Sequence, residues 1–233
     1  MEHDKLSTPI DSSGVTRREL FAGATGVVIA GVSGGVGAAE GAGARGPLGV
    51  HGAANGMELI AQINQVGPAL TACGYLTLVD GLSLEQIYFP HAARTVATAR
   101  FTFYGTATVA SIQTLDTLIV AIANGQVEFF LRDAPGASFD VPLSFAQGQR
   151  LAADEVALQN VLNVTAPATG VTTVFGDLRR TAVHAFHLDG TRYQLGHIGL
   201  RSRLVAPGKS RRIEPAVPPT SVQFVAGNIT NPR

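Results

Sequence analysis

The 233-residue chain has no tryptophan, two methionines and a single cysteine, Cys73. One cysteine makes no internal disulfide, so stability in an oxidising compartment has to come from side-chain burial and backbone pairing. Cys73 lies in the apolar run LTACGYLTLV, which fits a small core residue better than a nucleophile. Lysine is nearly as rare, at Lys5 and Lys209 only, and arginine takes its place. Aromatic residues are 6% of the chain and do not alternate with the cations, so the stacking platforms of a nucleic-acid binder are missing and no such partner is expected. The most apolar stretch, 20–36, is interrupted by Gly23, Gly26, Gly31, Gly34 and Gly35. Each glycine costs roughly 1 kcal/mol of helix stability against alanine, and a span needs about 20 strongly apolar residues. No stable membrane span is therefore expected. Beyond residue 45 no serine sits in a G-x-S-x-G elbow, no G-x-G-x-x-G follows a strand and opens a helix, and nothing repeats at a fixed period. No ligand set calls for a cofactor or a metal.

What is present begins with a leader. A polar segment, 1–16, precedes Arg17-Arg18; the apolar stretch follows, and then the small residues GAAEGAGA. Residues 16–21, T-R-R-E-L-F, resemble the twin-arginine signal consensus, in which Ser or Thr precedes two arginines and an apolar pair follows. Ala42-Gly43-Ala44 satisfies the small-x-small cleavage rule, with Gly37-Ala38-Ala39 as a second option. The resemblance implies a bacterial protein handed to the twin-arginine translocation machinery and delivered, already folded, to the periplasm, the cell envelope or the medium. No cysteine lies near the cleavage site to carry a lipid anchor. The expected organisation is a signal peptide over 1–44, a Gly-rich flexible linker over 45–56, and one all-β domain over 57–233.

Charge is balanced overall, 17 cations against 17 acids, but unevenly placed. From 45 to 178 five arginines stand against ten carboxylates; from 179 onward nine cations stand against two. Either the basic strands pair with acidic strands inside one sheet, through contacts worth a few tenths of a kcal/mol each, or they form a patch for an anionic envelope polymer or acidic ligand.

After the linker the dominant period is two. Between 96 and 111 one face carries Ala97, Ala99, Phe101, Phe103, Gly105, Ala107 and Val109, and the other Thr98, Arg100, Thr102, Tyr104, Thr106 and Thr108. That alternation makes a long strand with one buried face. Further strands are expected at 58–64, 70–80, 115–123, 126–132, 155–165, 171–175, 181–188, 191–197 and 221–226. Asn124-Gly125 and Asp189-Gly190 are two-residue turn signals, since both central positions of a type I′ turn need positive φ. Short helices are expected near 83–89, closed by Pro90, and at 144–147. Pro207, Pro215, Pro218 and Pro219 point to a loop over 205–220. Nine or ten strands joined by short turns imply an antiparallel barrel or a two-sheet sandwich, with the barrel preferred. The strand density is similar to calycin and allene-oxide-cyclase-like barrels, a likeness of architecture that carries no function.

Candidate chemistry gathers around the hairpin TAVHAFHL-DG-TRYQLGHI. With Asp189-Gly190 as the turn, Phe186 opposes Tyr193, His184 opposes Leu195, and Ala182 opposes His197. His184 and His197 then become diagonal neighbours about 7–8 Å apart. Together with Tyr193 they could serve as a general acid/base pair, or as two ligands of a metal whose third ligand no spacing identifies. Arg100 and Tyr104 share the polar face of the long strand and could orient an anionic or carbonyl ligand, with Phe186 as an apolar contact. Three functions compete. The first is a non-catalytic barrel or sandwich that binds a small apolar or amphipathic ligand or an envelope component. The second is a cofactor-free isomerase or cyclase working in a barrel lumen. The third is a surface protein adhering through its basic C-terminal third.

Overall fold

The computed structural model describes residues 48–49, 55–213 and 217–231. The leader read over 1–44 lies outside the described residues, as does the linker apart from Leu48, Gly49, Asn55 and Gly56.

Alternation governs the fold. In the strand Thr169–Val183 nearly every second residue is buried, so Thr172, Val174, Gly176, Leu178 and Arg180 point one way and Val171, Asp177 and Arg179 the other. Eight such strands close into an antiparallel barrel. In chain order they are β1 (Asn55–Val66), β2 (Ala69–Val79), β3 (Phe101–Leu115), β4 (Leu118–Leu131), β5 (Gln149–Ala166), β6 (Thr169–Val183), β9 (Arg201–Ile213) and β10 (Thr220–Thr230). Between β6 and β9 a separate hairpin is inserted, β7 (Ala185–Leu188) and β8 (Thr191–Gln194). Going round the barrel the order is β1-β10-β9-β6-β5-β4-β3-β2, an up-and-down meander whose first and last strands form the closing seam.

The two ends of the barrel differ. At one end sit the four short connections of the meander, β1–β2, β3–β4, β5–β6 and β9–β10. At the other end lie the long connections. Residues 80–100 carry the helical turn α1 (Leu84–Ile87) and residues 132–148 a 3-10 turn at Pro142–Ala146. The β7–β8 hairpin closes this end, with Phe186, Leu188, Tyr193 and Leu195 buried and His187 and Arg192 exposed. Phe186 stacks 5.8 Å from Tyr193 and meets Phe101 edge-on at 6.0 Å. Burying each such aromatic contributes about 1.5–3 kcal/mol.

Three local expectations are corrected. Asn124-Gly125 is not a turn: β4 runs straight through it, and the chain reverses at Asp116-Thr117, where Leu115 pairs with Leu118 and Asp116 takes φ 55°. Gly125 serves close approach instead, because a Cβ there would stand 2.0 Å from the carbonyl oxygen of Thr106. Residues 96–98 form a 3-10 turn, so β3 begins at Phe101 and extends to Leu115. The loop expected from 205 is in fact strand β9 as far as Ile213. Pro207 stays in register with Thr173 on β6, and the β9–β10 ladder skips the two residue pairs around it between Val225↔Gly208 and Asn228↔Val205. A missing N–H therefore interrupts one ladder locally without ending the strand.

Candidate functional site

An eight-stranded barrel is just wide enough for side chains to fill. Here the inward positions at mid-height are small: Ala61 on β1, Ala72 on β2, Gly105 and Ala107 on β3, Ala121 and Ala123 on β4, and Ala206 on β9. The interior therefore keeps a cavity of about 100 Å³. Phe103, Phe129, Leu158, Leu178, Leu204 and Ile229 complete its almost wholly apolar wall. Toward the end with the short turns, three polar side chains form a collar. The Asn160 amide donates to Gln223 Oε1 at 3.0 Å, and the Thr172 hydroxyl donates to Asn160 Oδ1 with Gln223 Oε1 at 3.3 Å. Thr172 and Gln223 are buried. Beyond the collar lies a mouth of about 390 Å³, bordered by Thr114, Ile119, Ser210, Arg212 and Ser221; it shares Gln65, Ala121 and Asn160 with the inner cavity. An apolar chamber, a hydrogen-bonding collar and an opening thus follow one another along the axis.

The opposite end is sealed by charge. Asp154 and Arg180 oppose each other across β5 and β6 and point inward, 3% and 2% exposed. Arg180 donates to both carboxylate oxygens through Nε and Nη2, and through Nη1 to the carbonyl of Leu195 in the plug. Its guanidinium also lies 5.2 Å above the Phe129 ring. Burial pushes the Asp154 carboxyl up from its ordinary 3.8, and hydrogen bonds and charge from Arg180 pull it back. The pair fastens the plug to the barrel floor.

The residues singled out by sequence lie elsewhere. Phe186 and Tyr193 are brought together, as the hairpin register requires, but as buried packing of the plug. His184 and His197 are exposed and fall outside the ladder, which ends at Ala185↔Gln194. The reason is that the Leu195 carbonyl, which would continue the ladder, is taken by Arg180 Nη1; Leu48 pairs with the opposite edge of β8, where its N–H donates to Gln194 O at 2.9 Å and its carbonyl accepts from the Gly196 N–H at 3.0 Å. His184 instead donates its backbone N–H to Leu151 O, and His197 Nδ1 lies 3.1 Å from Ile198 O. Arg100 stands over Phe89 at 5.7 Å and reaches Asp189 of the hairpin turn at 3.8 Å. Tyr104 packs outside the barrel against the buried cluster of Cys73, Ala137 and Phe145, so it and Arg100 do not share a site. None of His184, His197, Tyr193, Arg100, Tyr104 and Phe186 lines the inner cavity. Among the described residues no three His, Cys, Asp or Glu side chains converge to hold a metal.

Much of the basic C-terminal third pairs across strands. Arg179 meets Glu155 at 2.6 Å, Arg203 meets Asp177 at 2.7 Å, and Arg180 meets Asp154. Sequence reasoning missed Asn160, Thr172, Gln223, Asp154 and Arg180. The signal for Thr172 and Arg180 was parity: both fall on the buried set of β6, visible once the strand is read unbroken from 169 to 183. Comparison with protein-family models, curated proteins and solved structures returns no match to this chain.

Proposed function

We propose that this chain is an exported bacterial barrel protein that binds a small apolar or amphipathic ligand in its lumen. The carrying observation is that mid-height alanines and glycines leave an apolar chamber, opening to one end through a polar collar, where larger side chains would fill the core. Such a chamber excludes water from an apolar ligand, and a few convergent polar groups fix the orientation of its head. The Asn160–Thr172–Gln223 collar offers both donors and acceptors to a hydroxyl, carbonyl or carboxylate. Export is supported by the leader, whose T-R-R-E-L-F segment resembles a twin-arginine signal.

The reading is tested by titrating the mature protein with N-phenyl-1-naphthylamine, an apolar probe whose fluorescence rises out of water. Wild type should bind it. Ala123→Leu, which places a larger side chain on the chamber wall, should weaken binding at least about tenfold, near 1.4 kcal/mol, without lowering the melting temperature. Probe binding unchanged by the filled chamber, or no binding by wild type, would sink the proposal.

A further inference from the structure

The open end of the barrel carries apolar side chains that the fold leaves in solvent. Val66 ends β1, Ile112 and Leu115 lie at the tip of β3, Ile213 ends β9, and Val217 is fully exposed in the β9–β10 connection. These residues surround the mouth rather than the plugged end. Exposed apolar groups gathered in one place mark an interaction surface, whereas single scattered ones do not.

Behind this rim lie cations. On the outer face of β9, Arg211 pairs in register with Thr169 and Val222, and Lys209 with Val171 and Phe224. Both cations are exposed, and among the described residues neither takes part in an ion pair, unlike Arg150, Arg179, Arg180 and Arg203. Arg212 adds a cation at the mouth itself. The described acid at this end is Asp116. Depth agrees with this arrangement: at about 3.3 Å per residue along a strand tilted about 35–45° to the barrel axis, Arg211 stands roughly 5 Å and Lys209 roughly 10 Å behind Ile213. The polar layer of one bilayer leaflet is roughly 5–8 Å thick. Tips seated in the acyl boundary therefore put Arg211 at the phosphates and Lys209 just above them.

We propose that the open end of the barrel is a docking surface for an anionic lipid bilayer. That the lumen also loads its amphipathic ligand from that bilayer rests on the function proposed above. An anionic surface answers both features at once, since apolar tips insert into the acyl boundary and basic residues near the headgroups are drawn to anionic lipid. A second copy of the chain would fit worse, because a self-complementary contact across this end brings the same cations against one another.

The test is flotation of the mature protein with vesicles of phosphatidylcholine alone and of phosphatidylcholine with phosphatidylglycerol, beside the soluble-probe titration. Wild type should float with the anionic vesicles, less with the neutral ones, and less at high salt. Leu115→Ser with Val217→Ser, and separately Lys209→Glu with Arg211→Glu, should each reduce flotation at least tenfold while binding N-phenyl-1-naphthylamine as wild type does; that retained binding also shows that the variants are folded. Wild type left at the bottom of the gradient, or rim variants that float undiminished, would overturn the docking proposal even if the probe still binds. A concentration-dependent dimer abolished by the same substitutions would overturn it in favour of self-association. Flotation without probe binding would uphold docking and overturn loading of the lumen.

Discussion

Burial pushes the Cys73 thiol from its ordinary 9.0 up to about 11, because desolvation penalises the thiolate. Below pH 9 the thiol is neutral in both the folded and the unfolded chain, and its contribution to stability is intact. Between 9 and about 11 only the unfolded chain ionises, so stability should fall by about 1.4 kcal/mol per pH unit. Cys73→Ala should remove that part of the alkaline slope in urea titrations at pH 8 to 11. The same burial predicts that a thiol-specific reagent at pH 8 labels Cys73 only after denaturant is added; rapid labelling of the native protein would refute it. Cys73 was legible from its apolar neighbours, whereas Asn124-Gly125 and Asp189-Gly190 carry the same local turn signal. Gly190 is needed for its φ of 78° and has no atom within 4 Å of a Cβ, whereas Gly125 is needed for space. Asparagine tolerates positive φ, so Gly190→Asn should cost no more than about 1 kcal/mol. Gly125→Asn must displace the backbone of β3 and should cost about 1–3 kcal/mol or more. Denaturation midpoints of the two variants separate a turn glycine from a packing glycine, a difference the dipeptide alone does not encode.

At the scale of elements, period-two alternation identified most strands, because one face of each meets an apolar core. It failed where an element's neighbours decide its fate. β9 continues through Pro207 since the flanking residues pair on both sides, and the β7–β8 ladder stops short of His184 and His197 since the His184 N–H goes to Leu151 and the Leu195 carbonyl to Arg180. A single sequence does not display either partner. The plug illustrates the energetic consequence. Its buried face is apolar, but its backbone is fastened to the barrel by Arg180, which is itself held by Asp154. Arg180→Met would leave Asp154 buried without its cation, and losing one partner of a buried pair costs about 3–5 kcal/mol. The double variant Asp154→Leu with Arg180→Met removes the orphan charge and should recover most of that loss in thermal or urea unfolding. The hairpin amides should also exchange faster in Arg180→Met than those of β4 and β5. A single variant as stable as wild type would mean that the plug is held by its aromatic face alone.

At the scale of the whole molecule, closure joins the beginning of the domain to its end. β1 pairs with β10 along its length, from Asn55↔Thr230 to Val66↔Thr220, and with one cysteine in the chain no disulfide can hold the seam. Until β10 has been made, β1 and β9 each present an open edge, a template for pairing with other chains. Such a barrel benefits from folding where it is synthesised and crossing the membrane afterwards, the route that a twin-arginine leader implies. Arg17-Arg18→Lys-Lys should therefore leave a folded, protease-resistant protein in the cytoplasm, measured by fractionation and limited proteolysis. On the proposed twin-arginine route, ending the chain after Ile213 should block export although residues 1–44 are unchanged, because the barrel is not closed. Normal secretion of the Lys-Lys variant would exclude twin-arginine dependence. Secretion of the truncated chain would show that export does not wait for the seam, and it would separate where the protein goes from how its barrel closes.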